Sequence, residues 1–132
     1  MKKSNWKDPY KKDKGKISTN FRNTFEKSGV YIIKDKKTNK ILYVGGSSNN
    51  LYRTMYRHFQ SWTDKQKRAT YSKFGTKVKV ILCSPQKAHS LEIQLTKKLK
   101  PRDIDYKYKQ VELDFKDKKV MEKYIEAENI PF

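Results

Sequence analysis

Residues 27–49 read KSGVYIIKDKKTNKILYVGGSSN, and the two apolar runs within this stretch decide the fold. Residues 29–34 and 40–45 alternate as strands around a polar Lys36-Lys37-Thr38 turn, which predicts a hairpin. If paired positions sum to 74, Val30 faces Val44 and Ile32 faces Leu42 on one side. On the other side Tyr31 then faces Tyr43 and Ile33 faces Ile41. A slip of one residue would mix aliphatic and aromatic positions, because side chains alternate faces along a strand. The separation of the two sets therefore predicts that Tyr31 and Tyr43 share a face, with Cβ atoms about 5 Å apart. Both a packed aromatic pair and two halves of one site fit that arrangement.

Downstream of Gly45-Gly46, the Ser47-Ser48-Asn49-Asn50 cluster offers helix N-caps. Leu51, Met55, Phe59 and Trp62 then recur at helical spacing and predict a core-facing stripe. Arg53 falls opposite that stripe, the place of a solvated side chain, and His58 lies at its margin, open to a structural or a catalytic role. Thr63 with Gln66 forms a capping box and Gly75 a stop, predicting a short basic helix over 63–74. Val78, Val80 and Leu82 alternate as a third strand, and Cys83 is expected in the core. Ser84-Pro85 opens a second helix, ended by Lys100-Pro101. In that helix Ala88, Leu91, Leu95 and Leu99 form the apolar stripe with Glu92 inside it. A carboxylate there costs several kcal/mol unless compensated. An ion pair with a nearby Lys or Arg would compensate it, and so would a metal-binding or catalytic role. Beyond a turn at Arg102-Asp103-Ile104-Asp105, a short strand over 111–115 and a helix containing Val120, Met121, Tyr124 and Ile125 are expected.

The 132 residues suffice for one domain. They carry 32 Lys plus Arg against 14 Asp plus Glu, a formal charge of +18. Such an excess repels itself unless a polyanion screens it, so nucleic acid is the leading partner class. Lys far outnumbers Arg, which favours diffuse phosphate contact and weak sequence specificity. Residues 1–16 hold seven Lys with Trp6 and Tyr10 between them. They show no helix or strand period and are read as a basic arm, solvated or ordered on nucleic acid, where the two rings could stack on bases. A single cysteine excludes an intramolecular disulfide and a thiolate zinc cluster. With no signal-peptide h-region and no apolar run near the ~18 residues of a membrane span, a cytoplasmic protein with no membrane partner is expected.

Two tyrosines with eleven residues between them, in Gly29-Val30-Tyr31 and Tyr43-Val44-Gly45, Arg53 ten residues on, then His58, Glu92 and the Leu99-Lys100-Pro101 turn together resemble the GIY-YIG nuclease domain. The resemblance spans roughly residues 28–105. It implies an α/β (α+β) fold with a small three-stranded antiparallel sheet flanked by helices. It also implies hydrolysis of DNA phosphodiester bonds, with RNA a further possible substrate. By resemblance Glu92 would hold one Mg²⁺ or Mn²⁺, whose octahedral shell keeps several waters, and Arg53 would reach the phosphate. Tyr31 would position or deprotonate the attacking water, Tyr43 would orient that water or the phosphate, and His58 completes the candidate catalytic set. Arg57, Lys73, Lys100 and Arg102 are the candidate nucleic-acid contacts.

Two positions depart from the family pattern. Where the family often has His or Tyr four residues after the Arg, this chain has Arg57, with His58 one later. Where Asn commonly follows the Pro by three, it has Ile104 between Asp103 and Asp105. The expected organisation is a basic arm over 1–26, the nuclease-like domain over 27–105 and an extension of it over 106–132. The chain has no room for a separate target-reading domain, and a monomer and a dimer are both open. An endonuclease of a phage, mobile-element, restriction or repair system is the first functional expectation. A non-catalytic nucleic-acid-binding module is the second.

Overall fold

The computed structural model describes residues 2–60 and 70–103. Its elements run β1 (Lys2–Lys3), β2 (Tyr10–Asp13), β3 (Lys16–Thr19), β4 (Gly29–Asp35), β5 (Ile41–Ser47), α1 (Leu51–Tyr56), β6 (Thr76–Leu82) and α2 (Pro85–Leu99). Short 3-10 turns at Arg22–Thr24 and Arg57–Phe59 precede β4 and follow α1. The architecture is α+β. Its main sheet has four antiparallel strands in the order β1-β6-β4-β5 rather than three, and β2-β3 form a separate two-stranded ribbon.

The β4–β5 hairpin forms in a register two residues from the expected one. Tyr31 pairs with Gly45, Ile32 with Val44 and Ile33 with Tyr43, so the positions sum to 76. A shift of two preserves the faces, and it sets the Tyr31 ring over a residue with no side chain instead of against a second phenol. A β-bulge between Ile33 and Lys34 then brings Lys34 opposite Ile41. The unpaired extra residue, Leu42, joins the cluster of Tyr31, Ile33 and Tyr43, while Ile41 packs on the opposite side with Val30 and Ile32. The expected placement of these two residues is thus exchanged, because one inserted residue inverts the alternation.

Each sheet face carries one helix. Leu51, Met55 and Tyr56 of α1 pack with Tyr31, Ile33, Tyr43, Val78 and Val80. Ala88, Leu91 and Leu95 of α2 pack with Val30, Ile32, Val44 and Ile81. Burying each such aliphatic side chain contributes about 1.5–3 kcal/mol, which fixes the two helices to the sheet. Asn50 caps α1, its side chain accepting from the Arg53 amide at 3.2 Å and from the Glu26 amide at 3.2 Å. Ser84 caps α2 by accepting from the Lys87 amide at 3.3 Å, with Pro85 in the first turn. The helix ends where Lys100 turns left-handed at φ 48° and its amide reaches the Thr96 carbonyl at 3.1 Å. Cys83 is only partly buried, packed against the α2-side cluster.

The N-terminal segment is not an unstructured arm. Lys2 and Lys3 pair with Leu82 and Ile81, and Lys7 bridges Val78. Tyr10 is buried against Tyr56 and Phe59, with ring centroids 5.3 Å and 5.8 Å away. The sequence hid this because the strands are short and lysine-rich, leaving Trp6 and Tyr10 as their only bulky apolar anchors. The helix expected over 63–74 is absent from its described part, residues 70–74, where the Tyr71 amide instead donates to the His58 carbonyl at 2.7 Å. The remainder of that helix, Trp62, and the strand and helix expected beyond 105 lie outside the described residues. Among the described residues no helix is long and apolar enough to cross a membrane.

Candidate functional site

The double glycine at the end of β5 organises the candidate residues. Gly45 points to the α1 face, and the space its Cβ would fill is taken by the Tyr31 ring, with Cε1 2.8 Å from that position. Gly46 points to the α2 face, where a Cβ would lie 2.8 Å from Glu92 Oε1. The phenol and the carboxylate therefore flank one strand at consecutive residues, from opposite sides.

On the α1 face the structure gathers Tyr31, Tyr43 and His58. Tyr31 is 0 % exposed, Tyr43 3 % and His58 3 %. The Tyr31 hydroxyl is hydrogen-bonded to His58 Nε2 at 2.8 Å. The His58 ring lies 4.5 Å from the Tyr43 ring, and the two tyrosine rings are 6.0 Å apart. His58 is thus in the core and not at the margin, because the chain tightens from α1 into the 3-10 turn that carries it.

Tyr71 extends this cluster and was not singled out by sequence reading, having been placed within the expected helix. Its ring lies 5.7 Å from His58 and 6.3 Å from Tyr43, and its hydroxyl donates to Asp103 Oδ2 at 2.8 Å. The Arg102 guanidinium meets the same oxygen at 2.9 Å. Burial pushes the Asp103 carboxyl up, but the hydrogen bonds from Arg102 and Tyr71 outweigh it and hold the group below the usual aspartate value. Asp103 stands one residue before the expected Asn position, and its amide reaches the Leu42 carbonyl at 2.9 Å.

Glu92, 5 % exposed, lines a cleft of about 270 Å³ with Gly46, Ser47, Ser48, Pro85, Ala88 and His89. Arg53 is exposed and lines a different cleft, of about 570 Å³, with Glu26, Asn49, Asn50, Thr54 and Arg57. The turn after β5 lines both clefts, with residues 47 and 48 in the first and residues 49 and 50 in the second. Tyr31, Tyr43 and His58 are brought together, then, while Arg53 and Glu92 open to either side of the turn that follows β5.

Among the candidate nucleic-acid contacts, Arg57 accompanies Arg53 and Arg102 is engaged by Asp103. Lys100 is exposed at the end of α2, and the Lys73 ammonium lies over the Tyr10 ring, 5.1 Å from its centroid.

Among the described residues no cluster of three or more His, Cys, Asp or Glu is placed to hold a metal ion. Glu92 presents one carboxylate in a cleft with room for water that Ser48 and His89 also line, and the missing Cβ of Gly46 leaves space for that carboxylate. Such a donor set fits a hard divalent ion that retains most of its hydration shell. In the sequence Gly46 stands only as the second of two glycines ahead of the helix caps. A search of curated proteins finds no match to this chain. The family model of the GIY-YIG catalytic domain matches residues 27–109.

Proposed function

Because the chain belongs to the GIY-YIG family of nuclease domains, we propose that it is a divalent-metal-dependent endonuclease that hydrolyses DNA phosphodiester bonds with low intrinsic sequence specificity. The observation that carries this reading is Glu92, a carboxylate inside an apolar helix stripe that lines a solvent-open cleft beside a glycine. A pure binding surface gains nothing from a carboxylate facing phosphates that it repels. Mg²⁺ or Mn²⁺ held by Glu92 would supply positive charge against the charge that develops on the phosphate oxygens.

The protein's own side chains divide the remaining tasks. Arg53, exposed and next to Arg57, reaches a phosphate in the second cleft and spreads its charge. Tyr31 and His58 form a proton-transfer pair across their 2.8 Å hydrogen bond. A phenol of ordinary pKa about 10 is a poor base at neutral pH, and an imidazole partner at Nε2 offers its proton a place to go. Tyr43, packed at a tilt against His58, holds the imidazole in that orientation.

A second reading is a nucleic-acid-binding module that hydrolyses nothing, and the complete burial of Tyr31 favours it. Plasmid nicking and gel shift with wild type, Glu92→Gln and Arg53→Ala separate the two. Glu92→Gln is expected to lose Mg²⁺-dependent cleavage while binding DNA in EDTA as well as wild type or better. Arg53→Ala is expected to lose about 10²–10³ in rate together with some binding. Near wild-type cleavage by Glu92→Gln removes Glu92 from the site. Wild type that cleaves no DNA or RNA with either metal ion leaves the binding module.

A further inference from the structure

We propose that the β2–β3 ribbon is a groove-inserting element for B-form duplex DNA. The inference rests on the nuclease reading and goes beyond it by naming the surface that grips the duplex, which lies outside residues 27–109.

Residues 11–17 are all exposed and carry Lys11, Lys12, Lys14 and Lys16 against Asp13 alone. The turn is preformed, because Lys14 at φ 50° and Gly15 at φ 80° supply the two left-handed residues of a tight hairpin. Pairing of Tyr10 with Thr19, Lys11 with Ser18, Lys12 with Ile17 and Asp13 with Lys16 fixes the register. Alternation sends Tyr10, Lys12, Ile17 and Thr19 to the side facing the body, and Lys11, Asp13, Lys16 and Ser18 to the opposite side, where lysines outnumber the one acid two to one.

The base is anchored firmly. The Tyr56 hydroxyl donates to the Pro9 carbonyl at 2.6 Å and accepts from the Phe21 amide at 3.2 Å. Thr19 Oγ1 and the Tyr52 hydroxyl are hydrogen-bonded at 3.0 Å. Tyr52 and Tyr56 belong to α1, as does Arg53, so the ribbon and the candidate phosphate-binding Arg are set by one helix.

Dimensions and charge select the occupant. A two-stranded ribbon fits the B-DNA major groove, about 12 Å wide, and is too broad for the minor groove, about 6 Å. Strands of four residues extend about 13 Å, enough to span the groove's depth of about 8.5 Å. The deep, narrow major groove of an RNA duplex does not admit it. Lys11, Lys14 and Lys16 at the tip of the ribbon would face phosphates of both strands, while Lys12 lies over the Phe74 ring, 4.8 Å from its centroid.

The test compares Lys11→Gln/Lys14→Gln/Lys16→Gln with Lys37→Gln/Lys40→Gln/Lys98→Gln, which removes the same charge from other exposed positions. Binding of a short labelled DNA duplex is titrated against salt in EDTA, with single-stranded DNA and an RNA duplex of the same sequence in parallel. Each lost phosphate contact lowers the slope of log K against log salt by about 0.9. The ribbon variant is expected to lose about two to three units on duplex DNA, the control under one, with smaller losses on the other two nucleic acids. Equal losses by both variants, an unchanged slope for the ribbon variant, or an equal loss on the RNA duplex would overturn the proposal while wild-type binding and cleavage stand. Wild type that binds no nucleic acid in a salt-dependent way overturns the nuclease reading and the ribbon with it.

Discussion

Placing a methyl group on Gly45 tests the arrangement on the α1 face directly. The added Cβ would meet Tyr31 Cε1 at 2.8 Å and lie closer still to Cζ and the hydroxyl, whereas carbon atoms rest at about 3.5–4.0 Å. The ring must therefore withdraw by about an ångström. It is wholly buried and bound to His58 at 2.8 Å, so the movement strains the surrounding packing and breaks that bond. Overpacking costs about 1–3 kcal/mol, and loss of the buried hydrogen bond adds about 1 kcal/mol. The lower chain entropy of alanine in the unfolded state returns about 0.5 kcal/mol. Gly45→Ala is accordingly expected to cost about 1.5–3.5 kcal/mol, a large part of the stability of a domain this size. In urea the midpoint should fall by about 1–2 M without a change in slope. Tyr31→Phe supplies the second arm: it should cost about 1–2 kcal/mol in the wild-type background and almost nothing on top of Gly45→Ala, since the bond it removes is already broken. A Gly45→Ala protein within about 0.5 kcal/mol of wild type, or a Tyr31→Phe cost equal in both backgrounds, would refute the close approach of ring and strand.

Three further outcomes are expected. Gly46→Ala places a Cβ 2.8 Å from Glu92 Oε1 and 2.9 Å from the Gly29 carbonyl. Moving the carboxylate by about an ångström should lower cleavage about a hundredfold while gel-shift affinity in EDTA stays constant. Tyr56→Phe removes the bonds to Pro9 and Phe21, and should cost about 2–3 kcal/mol in denaturant while the Phe21 amide exchanges faster with deuterium. The Asp103 carboxyl is held below its ordinary value, so its contribution to stability is complete above the unfolded pKa of about 3.9 and disappears as pH falls through the lower folded value. The stability difference between wild type and Asp103→Asn should be constant from pH 5 to 7 and shrink on acidification, measured by urea midpoints across that range; a difference that grows in acid contradicts the hydrogen-bonded carboxylate.

Period and caps made much of this fold readable. The alternation in 29–34 and 40–45 assigned the faces of Tyr31 and Tyr43, and it did so although the register differs by two, because a shift of an even number leaves faces unchanged. The exchange of Ile41 and Leu42 was not readable, since the bulge between Ile33 and Lys34 leaves no mark in composition. Ser84, Pro85 and Lys100 bounded α2 by local backbone preferences, and Glu92 stood out as an acid at an apolar position. Tyr71 and Asp103 meet across 32 positions of chain, a distance over which no periodic signal acts. The fourth strand was missed for a related reason: Lys2 and Lys3 pair with Leu82 and Ile81 through main-chain groups, to which side-chain patterning is blind.

The strap formed by residues 2–7 bears on how the chain behaves in company with its own copies. The Ser4 and Lys7 amides donate to the Val80 and Val78 carbonyls at 2.8 Å and 2.9 Å, while Ser4 Oγ and the Lys7 carbonyl accept from the Val80 and Val78 amides at 2.9 Å and 2.7 Å. On the far side of the sheet, the Arg102 and Asp103 amides cover the Ile41 and Leu42 carbonyls at 3.1 Å and 2.9 Å. The side of β6 turned away from β4 is thus taken up by the strap, and the first two residues of β5 are covered on their outer side. A chain cut down to residues 27–109 would keep the covering of β5 and lose that of β6, together with the Tyr10 ring that closes the α1-side core. The trimmed domain is expected to expose that side of β6 to strand addition, read as a higher scattering mass than that of the longer chain at equal concentration.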